Sequence, residues 1–203
     1  YLFPLKILNN SLDNNVKSFI NTHTVLPKYL NAYSLTKNHF TDWLKFYSNE
    51  IAIFNLKLEN IYGEKDSETQ FIPYIITSLL KNIEKIDLTE GTQERNFIYI
   101  DDVVEAYKKV ILKQNDYDKG FYEYEIGSNE NIKIRDLVLK IRDLIGNKET
   151  ELNFGALNYR KNEPMKSNSN IEKFKKEFNW QPEVNLIEGL KKTINWCKDK
   201  MGE

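Results

Sequence analysis

Two strand-like runs with a helix-like segment between them constrain this chain most. Residues 16–21 (VKSFIN) and 51–58 (IAIFNLKL) are short and apolar, while residues 33–47 place Phe40, Trp43, Leu44 and Tyr47 at helical spacing. Parallel strands need a long crossover between them, and a helix of this length supplies one. The alternation continues down the chain. Leu5, Leu8 and Leu12 follow a helical period, with Leu2 one turn earlier. Further helices are predicted over 71–80, with Pro73 in the first turn, and from Asp101-Asp102 as caps through Leu112. Others are predicted over 134–145, closed by Gly146, over 171–178 and over 186–198. Strands are expected within 91–100, at 122–126 and at 151–154, and 59–63 reads as an irregular turn. Strand–helix alternation of this kind is the mark of an α/β fold with a mainly parallel sheet.

Composition narrows the function classes. The chain has 203 residues, enough for one good core and a smaller lobe. A net charge of −1 gives no electrostatic reason to expect nucleic acid or an anionic membrane. The single cysteine, Cys197, excludes an internal disulfide and a cysteine-based zinc site, which fits a reducing, cytoplasmic setting. No metal is expected, since His23 and His39 lack partner ligands at useful spacing and read as structural. No apolar run reaches the length that spans a bilayer.

The chemistry centres on Tyr33-Ser34-Leu35-Thr36-Lys37. A phenol and an ammonium four residues apart lie on one helix face, one turn from each other. A free phenol is a poor base at neutral pH, and a nearby cation favours its ionised form. Such a tyrosine can take a proton from a sugar hydroxyl or return one to a ketone. Among 12 tyrosines the spacing alone is near chance, so the surroundings decide. Thr22 to Thr24 and Glu59 to Gly63 both follow strands, where open α/β sheets hold their ligands.

With those neighbours the chain resembles the later two-thirds of the extended short-chain dehydrogenases/reductases, the nucleotide-sugar epimerase/dehydratase group. Thr24 matches the Ser/Thr that ends the strand before the Tyr-x-x-x-Lys helix. Lys57-Leu58-Glu59-Asn60-Ile61-Tyr62-Gly63 matches the Arg-x-x-Asn-x-Tyr-Gly segment, and Gly91 through Asp102 (GTQERNFIYIDD) matches the Gly-x-x-x-Arg-Asp-Phe-Ile-x-Val-Asp-Asp signature. Arg160 and Asn179-Trp180-Gln181-Pro182 match a later arginine and a Gly-Trp-x-Pro-like turn. The resemblance implies Tyr33 as general acid/base, with Lys37 activating it and binding the nicotinamide ribose of NAD or NADP. It implies Thr24 as the residue holding the reacting sugar oxygen, Asn60 as a substrate contact, and Arg95 and Arg160 as grips on the diphosphate of a nucleotide sugar. Plainer readings stand beside these: Thr24 or Asn60 as turn residues, Arg95 paired with Glu94 or Asp101, and Arg160 in a polar loop.

The same resemblance implies a truncated Rossmann-like parallel sheet with a smaller C-terminal α/β substrate lobe. Residues 1–63 and 93–116 would belong to the dinucleotide-binding domain, and 64–92 and 117–203 to the substrate lobe. No Gly-x-x-Gly-x-x-Gly loop occurs, so roughly 80 or more upstream residues are expected in the full protein, and these residues alone are expected to bind a dinucleotide weakly and to be inactive. Val25-Leu26 stand where the dehydratases carry an Asp-Glu pair, which leaves a 4-epimerase or a 4-ketosugar reductase. The short loop before Tyr33 and the stretch 71–76 (FIPYII) resemble the CDP-abequose synthase-like ketoreductases. A non-catalytic binding or regulatory member is the alternative. A homodimer through the helices near 2–12 and 33–47 is the expected assembly.

Overall fold

The computed structural model describes residues 2–202; positions 1 and 203, the ends of the expected domain ranges, lie outside the described residues. In chain order the elements are α1 (Leu2–Asp13), β1 (Ser18–Thr24), α2 (Ala32–Phe46), β2 (Ala52–Leu58), β3 (Asn60–Tyr62), α3 (Phe71–Leu80), β4 (Lys85–Leu88), β5 (Glu94–Tyr99), α4 (Ile100–Lys113), β6 (Gly120–Ile126), β7 (Asn131–Lys133), α5 (Ile134–Ile145), β8 (Glu151–Phe154), α6 (Glu172–Phe178) and α7 (Leu186–Met201). They fall into two compact units. One comprises Tyr1–Glu59, Val103–Gly127 and Ser169–Gln181; the other comprises Asn60–Asp102, Ser128–Asn168 and Pro182–Glu203.

The first unit is built on a parallel sheet of order β1-β2-β6. Ser18 pairs with Ala52 and Thr24 with Leu58, which in turn pairs with Ile126. The central strand β2 is buried on both faces, which is why its sequence is a nearly continuous apolar run. One face packs Leu8 of α1 with Phe40 and Leu44 of α2 against Ile51 and Ile53. A polar row crosses the strands: Asn21 Nδ2 donates to Asn55 Oδ1 at 2.6 Å, and Asn55 Nδ2 donates to Glu123 Oε2 at 2.7 Å. Elsewhere in this unit Phe54, Tyr117, Tyr122, Tyr124, Phe174 and Phe178 interlock. Within that cluster Glu177 Oε1 accepts from the hydroxyls of Tyr117 at 2.6 Å and Tyr124 at 2.7 Å. Burial first, and Glu177 second, push the Tyr117 phenol up to about 12 and drive that of Tyr124 still higher.

The second unit holds a sheet of order β3-β5-β7 and a β4-β8 pair. β3 is parallel to β5, whereas β7 is antiparallel to it. Helices α3, α5 and α7 close the core through Ile75, Leu79, Leu137, Val138, Ile141 and Leu190. α5 ends as its glycine requires, with Gly146 at φ 78°.

Three short strands depart from the sequence reading. Residues 60–62 form β3 rather than an irregular turn, and neither β4 nor β7 was expected. Asp101 and Asp102 do not precede α4 as caps, because the helix already begins at Ile100. The Asp102 carboxylate instead accepts from the backbone N–H groups of Glu183 at 2.9 Å and Val184 at 3.1 Å. Burial raises its pKa despite those two donors.

Gly189 sits in α7 where the helix passes Tyr62. A Cβ there would overlap the Tyr62 hydroxyl and lie 2.9 Å from Tyr62 Cζ and 3.0 Å from Tyr99 Cδ2. Gly189→Val is expected to destabilise the protein by about 2 kcal/mol through overpacking, lowering the melting temperature by roughly 4–8 °C in a calorimetric scan.

Candidate functional site

The sequence-predicted site residues fall into two groups, one in each unit. Thr24, Tyr33 and Lys37 belong to the first unit, and Asn60, Arg95 and Arg160 to the second.

Tyr33 and Lys37 share the first turns of α2. The helix starts where a capping box dictates: Asn31 Oδ1 accepts from Ser34 N at 2.8 Å, and Asn31 N donates to Ser34 Oγ at 3.2 Å. Tyr33 is 55 % exposed, and the Lys37 ammonium lies 5.7 Å from its ring centroid. Lys37 is half-buried and donates to the backbone oxygen of Thr22 at 2.8 Å, which ties its long side chain to β1. Burial pulls the Lys37 pKa below the usual lysine range. Thr24 ends β1 and is buried, with its Oγ1 accepting from Leu26 N at 3.2 Å. That bond occupies an acceptor position and leaves the hydroxyl proton to be given elsewhere.

In the second unit the two arginines meet on one carboxylate. Arg95 extends from β5, with Nη1 donating to Glu94 O at 2.8 Å and Nη2 paired with Glu163 Oε1. Arg160 Nε donates to Glu163 Oε2 at 2.9 Å. In the plainer reading Arg95 pairs with Glu94 or Asp101; the carboxylate it meets is Glu163. Asn60 opens β3 opposite Phe97 and donates through Nδ2 to Asn96 O at 2.9 Å.

Glu163 was not singled out in the sequence. A signal was present, for Arg160-Lys161-Asn162-Glu163 is a turn: Glu163 N donates to Arg160 O at 3.1 Å, and Asn162 adopts φ 61°. Asparagine tolerates that left-handed conformation better than most residues. The turn folds Arg160 back onto Glu163, and Glu94 N donates to Met165 O at 2.8 Å, fastening the segment to β5. Among the described residues no group of His, Cys, Asp or Glu is arranged to hold a metal ion, and no helix is long and apolar enough to cross a membrane.

Comparison with known proteins gives a consistent picture. The profile of the NAD dependent epimerase/dehydratase family matches residues 14–127. The CDP-abequose synthase of Salmonella muenchen is 35 % identical over 203 residues, covering 96 % of this chain and 68 % of that protein. The UDP-N-acetylglucosamine 4-epimerase of Methanobrevibacter ruminantium, solved with UDP-N-acetylmuramic acid, superposes with a TM-score of 0.81 at 20 % identity, over 97 % of this chain and 68 % of that one. A mutant UDP-glucuronic acid 4-epimerase of Bacillus cereus, solved with UDP-4-deoxy-4-fluoro-glucuronic acid and NAD, gives 0.83 at 22 % identity, over 96 % of this chain and 66 % of that one. The chain thus spans about two thirds of the length of these proteins.

His23 lies beside Thr24 and is 4 % exposed, with Nδ1 lacking a hydrogen-bond partner. Burial, then the charges of Lys57, Lys37 and Lys45, lower its pKa from 6.5 to about 4, against an upward pull from Glu123. The folded protein therefore binds this proton less readily than the unfolded chain. Its contribution to stability is complete above pH 6.5 and is lost as the pH falls towards 4. Between pH 7 and pH 5 the loss is expected to be about 2 kcal/mol. His23→Gln should flatten the fall in melting temperature over that interval.

Proposed function

Because this chain belongs to the NAD-dependent epimerase/dehydratase family, we propose that it carries the proton-transfer and diphosphate-holding residues of a nucleotide-sugar epimerase or 4-ketosugar reductase. The observation that carries the reading is the Tyr33–Lys37 pair, an exposed phenol beside a half-buried ammonium tethered to the preceding strand.

Tyr33 is the acid/base group. In the reducing direction it gives its proton to the sugar ketone oxygen as hydride reaches the carbon; in the oxidising direction it takes the hydroxyl proton back. Thr24 donates its hydroxyl proton to the same sugar oxygen and so fixes its direction. Lys37 stands beside the phenol, its ammonium 5.7 Å from the ring centroid. It spends one donor on Thr22 O and has others left, which fits a role at the nicotinamide ribose. The nicotinamide, when bound, supplies or accepts the hydride. NAD or NADP both fit these residues, and the NAD held by the Bacillus cereus epimerase favours NAD. No glycine-rich phosphate loop occurs in the 203 residues, so on their own they are expected to hold a dinucleotide weakly and to turn over little substrate.

Arg95, Arg160 and Asn60 are assigned to the nucleotide sugar, the arginines to its diphosphate, for which a planar guanidinium is well shaped. The name of the Salmonella muenchen relative makes a CDP-linked sugar the first to test. Val25-Leu26 after Thr24 speaks against dehydration. We assign the homodimer contact to α1 and α2, which leave Leu2, Phe3, Ile7 and Phe46 exposed.

The test is hydride transfer by the full-length protein with CDP-, UDP-, GDP- and dTDP-linked sugars. Tyr33→Phe is expected to cut kcat by about 10²–10⁴-fold while nucleotide binding persists. Undiminished turnover in that variant would remove Tyr33 from the mechanism. Phe46→Glu is expected to shift the protein towards monomer in analytical ultracentrifugation.

A further inference from the structure

Asn96 lies on β5 and is 4 % exposed, yet both ends of its amide are bonded. Its Oδ1 accepts from Ser128 N at 2.7 Å and from the Ser128 hydroxyl at 3.1 Å. Its Nδ2 donates to Ser128 O at 2.8 Å and to Glu130 O at 3.2 Å. One side chain thereby fastens the irregular stretch 128–130 to β5. That stretch leads straight into β7, where Asn131 is the cross-strand partner of Asn96. A buried amide with its acceptor and its donors all engaged is a fully satisfied polar group, held in one position. Through its backbone Asn96 also meets Asn60: the Asn96 carbonyl oxygen accepts from Asn60 Nδ2 at 2.9 Å. A carbonyl can only accept, so this bond decides which end of the Asn60 amide is nitrogen. The Asn60 oxygen therefore stands on the side away from Asn96.

We propose that Asn96 is a positioning residue for substrate binding: its side chain ties β5 to the 128–130 stretch, and its carbonyl, steadied by that tie, sets the orientation of the Asn60 amide. This rests on the reading of Asn60 as a contact of the nucleotide sugar, given above. The last torsion of an asparagine side chain is broad and roughly two-fold, so a loose amide would present nitrogen and oxygen interchangeably. A fixed partner removes that choice before the ligand arrives, and the ordering no longer weakens binding. The pairing of Asn60 with Phe97 brings the two residues together, since it sets the start of β3 beside Asn96. The tie to 128–130 is made by the side chain and the hold on Asn60 by the backbone, so a change of side chain at 96 tests whether the first supports the second.

The test is steady-state hydride transfer by the full-length protein with the best of the CDP-, UDP-, GDP- and dTDP-linked sugars. Asn96→Ala is expected to raise KM for the nucleotide sugar about tenfold, with kcat changed by less than about twofold. Asn96→Asp keeps a group that accepts from Ser128 N and the Ser128 hydroxyl, and its KM is expected to fall between the two. In an Asn60→Ala background the Asn96→Ala change should leave KM where Asn60→Ala alone puts it, because the group it positions is gone. A tie that served stability alone would lower the melting temperature of Asn96→Ala and leave KM unmoved, and that result overturns the proposal. An equal rise in KM in both backgrounds overturns it too. Should Asn96→Ala fail to fold, Ser128→Ala removes one bond of the tie from a half-buried position and is expected to raise KM about twofold; an unchanged KM there overturns the proposal as well. If Asn60→Ala by itself leaves KM unaltered, the reading of Asn60 as a substrate contact falls and the positioning role with it. If Asn60→Ala raises KM and Asn96→Ala does not, only the positioning role falls.

Discussion

The parallel pairing of β1 with β2 is the constraint on which the first unit depends. Antiparallel neighbours can be joined by a two-residue turn, but parallel ones require the chain to return to the starting edge. Here the return is α2, and α2 is the element that carries Tyr33 and Lys37. The register puts Thr24 beside Leu58, so the strand ends align where the chain leaves the sheet. Lys37 then reaches back to the Thr22 oxygen, connecting helix and strand through a side chain. Topology thus places the pair, and the Asn31 capping box sets the turn of helix on which it falls.

The sequence was most legible where periodicity and caps agree. Residues 71–80 and 134–145 were expected as helices, and α3 and α5 occupy those ranges. Strand β2 could be read from an unbroken apolar run because both of its faces are buried. The strands that escaped notice, β3, β4 and β7, are three or four residues long. Such segments carry too few alternations to show a period, and pairing with distant residues makes them strands. The site was legible in the same uneven way. Tyr33 and Lys37 show a local spacing, near chance by itself, that only the neighbouring segments make readable. The bond between Arg95 and Glu163 spans 68 positions and leaves no trace in either neighbourhood.

Buried and half-buried carboxylates do different work in the two units. In the first unit Asn55 carries the Glu123 carboxylate's contact on to Asn21, and Glu177 gathers two phenols. In the second, Asp102 takes two backbone donors from 183 and 184, fixing the chain just before α7 begins. Each acid has found donors, as burial of a charge demands. None of these was visible as a site, because satisfying a buried acid requires only a donor from somewhere, and sequence spacing does not say where.

The two phenols gathered by Glu177 have a wider consequence for how tyrosine is used in this chain. Tyr117 and Tyr124 keep their protons and donate them as hydrogen bonds to Glu177, since burial and a neighbouring negative charge both oppose ionisation. Tyr62, Tyr99 and Tyr107 are pushed the same way by burial. In five of the 12 tyrosines burial thereby opposes ionisation, and these side chains serve as packing bodies with a hydroxyl to share. Tyr33 differs from them in address: it faces solvent, with the Lys37 ammonium over its ring. One side-chain type is divided by its surroundings into buried members that hold the packing together and exposed ones that meet solvent, and the fold makes the division.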